Sequence, residues 1–127
     1  MHVSQIAPGD SFYFDESTEV IGAGVITAID VDEKEPALAF TMDDGSVFEL
    51  YHEYECCESV CIDKMDIDDL KGAIGDGLVT FKVKVTKGDD VTHTFVDVAT
   101  KTHTATVAFK GESNGFYSET ISMRRRD

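Results

Sequence analysis

Apolar and polar positions alternate along most of this chain. A period of two predicts strands rather than helices. Ser11-Phe12-Tyr13-Phe14 reads as a short strand. Residues 20–32 read as a longer one, with Val25, Thr27, Ile29 and Val31 on one face. Gly22 and Gly24 interrupt it and predict a bulge or a close backbone approach. After Pro36, residues 37–42 place Leu38, Phe40 and Met42 together. Asp43-Asp44-Gly45 is a hairpin turn, because glycine adopts a positive φ at little cost. Residues 47–52 return antiparallel with Phe48, Leu50 and His52 on one face.

One segment carries a helical pattern, residues 66–74. Asp66 suits an N-cap, Asp68 and Asp69 suit the positive end of the helix dipole, and Gly75 suits the stop. Ile67, Leu70 and Ile74 form its apolar face. Residues 78–123 then read as a four-strand meander. Its strands cover 78–86, 91–98, 102–110 and 116–123, the last reached through a turn at Gly111-Glu112-Ser113-Asn114-Gly115. The expectation is a single domain over residues 1–127 of α+β class. It is predominantly antiparallel β, a sandwich or partly open barrel, with one short helix near 66–74.

Composition adds charge. The net charge is −14 at pH 7, and its distribution is uneven. Residues 1–70 hold 18 acids against two bases, and residues 71–127 hold seven against nine. Like charge repels phosphate, so the acidic half is not expected to bind nucleic acid. No apolar run approaches the ~20 residues of a membrane span, and residues 1–5 lack a signal-peptide pattern. No membrane partner and no export are expected. Three cysteines, two of them adjacent, do not suit a secreted disulfide framework, so reduced thiols are expected.

The soft-ligand chemistry is concentrated in Tyr51-His52-Glu53-Tyr54-Glu55-Cys56-Cys57-Glu58-Ser59-Val60-Cys61. Zinc requires four converging N or S donors. One reading gives it His52, Cys56, Cys57 and Cys61. Against it, adjacent cysteines on an extended strand point to opposite faces. His52 also shares a face with Phe48 and Leu50, which predicts a buried ring satisfied by a backbone carbonyl. The C-C and C-x3-C spacings differ from the C-x-x-C of thiol oxidoreductases. No P-loop, dinucleotide glycine pattern, G-x-S-x-G or H-E-x-x-H is present. No catalytic residue is assigned and no cofactor is required.

Two blocks carry a resemblance. The first is Tyr51-His52-x3-Cys56-Cys57-Glu58-Ser59-Val60 followed by Asp66-Ile67-x-Asp69-Leu70. The second is Gly111-Glu112-Ser113-Asn114-Gly115-Phe116-Tyr117-Ser118-Glu119. Together they resemble a family of small, functionally uncharacterised proteins encoded by tailed bacteriophages. Its members carry Y-H-x-x-x-C-C-E, a short acidic helix, and G-E-S-N-G-Y-Y-S-E near the C-terminus. Phe116 stands here where the family commonly has Tyr, and Cys61 where it usually has no cysteine.

The resemblance implies phage context and no particular chemistry. The expected function is a non-enzymatic phage accessory protein. It would bind a host protein or a small ligand, such as a nucleotide-type signal, and interfere with host physiology or defence. The expected place is the host bacterial cytoplasm. The alternatives are a virion decoration protein, with assembly into a virion or homo-oligomer, and the zinc protein above. The candidate ligand-binding residues are His52, Cys56, Cys57, Glu58, Glu112, Ser113, Asn114, Phe116, Tyr117 and Glu119. Lys82 and Lys84 are candidate anion contacts.

Overall fold

The computed structural model describes residues 2–55, 57–113 and 118–126, with residues 2–4 described by their backbone alone. Among these residues the strands are β1 His2–Gln5, β2 Ser11–Tyr13, β3 Thr18–Asp32, β4 Ala37–Met42 and β5 Val47–Tyr51. They continue with β6 Ser59–Met65, β7 Leu78–Gly88, β8 Val91–Ala99, β9 Thr104–Glu112 and β10 Ser122–Arg126. The helix α1 spans Ile67–Lys71. The fold is predominantly antiparallel β with one short helix, as the alternation requires.

The strands form one path in the order β2-β10-β5-β4-β3-β7-β8-β9-β6, and β1 pairs parallel with β3. β3 is shared between two layers. Its residues 18–25 pair with β7, and its residues 26–32 pair with β4. The transition lies at the glycines the sequence singles out. Between Ile21 and Val25 the register shifts, and a second irregularity follows between Ile26 and Ala28. Gly24 has φ +119°, and a Cβ there would lie 2.3 Å from Asp43 Oδ1. That carboxylate accepts from the Val25 amide at 3.3 Å. Only glycine leaves room for the contact.

The bend folds the sheet over its own core. Strands pack about 4.8 Å apart in a flat sheet, so β5 and β7, three places apart on the path, would lie roughly 14 Å apart. Yet the rings of Phe48 (β5) and Phe81 (β7) lie 6.0 Å apart, and Phe40 (β4) meets Phe81 at 5.0 Å. Phe81 therefore joins the two layers. Val20, Leu38, Leu50, Val96, Val107, Phe109 and Met123 complete the buried cluster around it.

Several expectations are corrected. The two shifts in β3 change which side chains face inward: Ile26 is buried and Thr27 is exposed, while Ile29 and Val31 are half-buried. α1 ends at Lys71, followed by turns through residue 75, so Ala73 is buried and Ile74 is exposed. Asp66 does cap α1, accepting from the Asp68 and Asp69 amides. β6 was not anticipated; it pairs with β9 at the end of the path. The meander contains three strands, β7-β8-β9. The fourth does not close as a hairpin. β10 crosses to the other layer and pairs with β5 and β2. Arg124, Arg125 and Arg126 lie in that strand.

Candidate functional site

β5 ends at Tyr51, and its alternation carries His52 inward, where the side chain is 4% exposed. Nδ1 lies 2.7 Å from the Thr120 carbonyl oxygen. A carbonyl only accepts, so Nδ1 carries a proton and donates it. Nε2 lies 2.8 Å from Glu58 Oε2, whose side chain is fully buried. The Glu55 amide donates to the same oxygen at 2.8 Å. Glu58 thus draws both His52 and Glu55 onto itself and braces the loop segment 52–55. Tyr54 projects from that loop and is 66% exposed.

The second block arrives beside this loop. β6 and β9 pair Ser59 with Glu112 and Val60 with Gly111. The chain then returns across Gly111 at close range: a Cβ there would lie 2.7 Å from Glu119 Cβ and 2.9 Å from its carbonyl oxygen. Glu119 accepts from the Thr92 hydroxyl at 2.8 Å and also from the Ser113 hydroxyl. Ser118 and Thr120 hydroxyls bond each other at 2.7 Å. These contacts fix residues 118–120, and Thr120 in turn holds His52.

Two openings flank Tyr54. One, of about 430 Å³, is lined by Lys34, Glu35, His52, Tyr54 and Glu58 among others. The other, of about 600 Å³, is lined by Tyr13, Glu53, Tyr54, Glu55, Ser118, Thr120 and Ser122. Of the sequence candidates, His52 and Glu58 meet directly, and Ser113 and Glu119 meet directly. Glu112 is exposed and pairs with Lys110 at 3.0 Å, which holds the lysine above its ordinary pKa. Cys56, Asn114, Phe116 and Tyr117 lie outside the described residues. Lys82 and Lys84 stand apart, on the outer face of β7, and line neither opening. Lys82 sits in register between Glu19 and Asp97, so its charge is flanked by acids.

The zinc donors are not assembled among the described residues. Both ring nitrogens of His52 are occupied. Cys57 is disulfide-bonded rather than reduced, contrary to expectation, and Cys61 is an exposed free thiol on β6. No group of three or more His, Cys, Asp or Glu side chains suited to a metal occurs among the described residues. The same occupancy of His52 leaves it no free lone pair for general-base work on a ligand.

Sequence reasoning missed Tyr13, Tyr54, Thr92 and Thr120. Tyr54 was within the quoted stretch, and Tyr13 alternates with Phe12 and Phe14, which marks it as outward-facing. Nothing local marked Thr120, because its role is a backbone carbonyl offered to a residue 68 positions away.

Residues 17–123 match the model of a domain of unknown function, DUF7448, and the chain belongs to that family. No curated protein and no solved structure matches it. No helix among the described residues is long and apolar enough to cross a membrane.

Proposed function

We propose that this member of the DUF7448 family is a non-enzymatic phage accessory protein that binds a host protein or small ligand. The loop segment 52–55, Glu58 and the two openings beside Tyr54 are the binding end. The observation that carries this reading is the double occupancy of His52. Its most reactive group braces a loop instead of facing a substrate. What the loop presents is an exposed tyrosine between two cavities, which suits recognition. The likeness of the two sequence blocks to tailed-phage proteins supports the phage context and action inside the infected host.

The test places a photo-crosslinking phenylalanine at position 54 in infected cells, with position 106 as an exposed control on β9. The expected result is a discrete adduct from position 54 that position 106 does not give. Recovery of the protein at fixed stoichiometry in purified particles, with no adduct from unassembled protein, would replace this reading with the decoration protein.

A further inference from the structure

The 600 Å³ opening has a more specific chemistry than its neighbour. Its base is on the outer face of the β2-β10-β5 layer, where Ser122 pairs in register with Tyr13 on one side and Tyr51 on the other. Ser122 is only 6% exposed, yet it lines the opening. Its hydroxyl makes no hydrogen bond among the described residues and is not sealed from solvent. Two tyrosines form the walls, Tyr13 at 62% exposure and Tyr54 at 66%. Glu53 and Glu55 supply exposed carboxylates, and Ser118 and Thr120 add hydroxyl oxygens.

Electron-rich ring faces, two anions and hydroxyl acceptors all favour one class of guest. We infer that this opening binds an organic cation, a guanidinium or an alkylammonium, held between Tyr13 and Tyr54 and neutralised by Glu53 and Glu55. The protein shows the same contact nearby: the Arg124 guanidinium lies 4.4 Å from the Tyr51 ring centre. Arg124 is a competing cation on this face, and Glu49 pairs with it at 3.3 Å. Glu49 also pairs with Arg126, so these two arginines leave one positive charge against the two glutamates at the rim.

The inference deepens the binding reading and rests on it, naming the chemistry that the partner presents. The shared chemistry has two sources, an arginine or lysine side chain of a protein and a free polyamine. The experiment is an amide NMR titration of the full chain with blocked arginine amide, with spermidine, and with the blocked citrulline amide as an uncharged analogue. Blocked arginine or spermidine is expected to shift the amides of Tyr13, Tyr54 and Ser122, and citrulline is not. Tighter binding of blocked arginine assigns the guest to a protein side chain; tighter spermidine assigns it to a free amine.

Tyr54→Ala should weaken binding about twofold to fivefold, the scale of one exposed cation–π contact. Glu53→Gln with Glu55→Gln should weaken it further, while Asp63→Asn with Asp89→Asn should change nothing. Tyr54, Glu53 and Glu55 are exposed, and unchanged urea unfolding of these variants is the control for folding. Equal shifts with citrulline, or equal loss in the Asp63 and Asp89 pair, would overturn the inference. A crosslinked partner at position 54 with no cation binding would remove the cation and leave the binding reading standing.

Discussion

Glu58 and Asp76 perform one task at two places, and their surroundings set the consequences. Glu58 gathers partners from its own loop, and Asp76 ties the segment after α1 to residues 100–102. Glu58 accepts from an imidazole and an amide, and its side chain is fully buried. Asp76 follows α1 and faces the β8–β9 turn. It accepts from the Thr100 hydroxyl at 2.7 Å, the Thr102 amide at 2.9 Å and the Thr102 hydroxyl at 2.7 Å. Its carboxyl is held down to about 2, first by the Thr100 hydroxyl and then by the Thr102 amide and hydroxyl. The Asp76 latch uses neutral donors within reach of water. The Glu58 latch uses a histidine, and both side chains are buried. A buried polar group that loses its partner cannot turn to solvent, so the Glu58 latch is the costlier one to break.

The largest effect is therefore expected from Glu58→Ala. Removing one member of a buried pair costs ~3–5 kcal/mol, so urea unfolding should show a loss of that order. Glu58→Gln keeps an acceptor for the Glu55 amide and should cost about 1–3 kcal/mol. Equal losses in the two variants would show that packing, not the polar contact, braces the loop.

Gly111→Ala tests the same end through the backbone. Its added methyl meets Glu119 and pushes residues 118–120 off β9, at a cost of ~1–3 kcal/mol. The His52 ring resonances should move with it, because Thr120 holds that ring. An unmoved His52 would separate the two blocks energetically.

Asp76→Asn should give the smallest effect at neutral pH, and it carries a pH signature. Its folded pKa, about 2, lies below the ordinary 3.8. Its contribution is complete above the ordinary value and is lost as pH falls through the folded one. The stability difference between wild type and Asp76→Asn should be flat above about pH 5 and shrink between roughly pH 4 and pH 2. A difference that does not change with pH would mean that the carboxylate charge plays no part in the latch.

Legibility followed the range of each interaction. β4, β5, β7, β8 and β9 were readable because their alternation is unbroken and one face of each is core. His52 was readable as a buried ring held by a carbonyl, since parity along β5 carries it inward. The face of β3 was misread because two irregularities shift its parity, and parity is all that a sequence pattern supplies. β6 was missed because it lies at the end of the path and Asp63 interrupts its alternation where the register shifts between Ile62 and Lys64. The Glu58 partnership was not legible, since a glutamate in an acidic stretch looks like any other.

From its own sequence this chain determined most of its strands, its hairpin at Asp43-Asp44-Gly45, its helix cap at Asp66 and the glycines where β3 bends. Those are local choices of backbone conformation and burial, made within a few residues. The tertiary structure alone decided that β10 leaves the meander for β5, that β6 lies beside β9, and that Thr120 reaches His52. Pairing partners and cavity walls depend on which distant surfaces meet as the sheet folds over Phe81, and alternation is the same whichever neighbour a strand acquires.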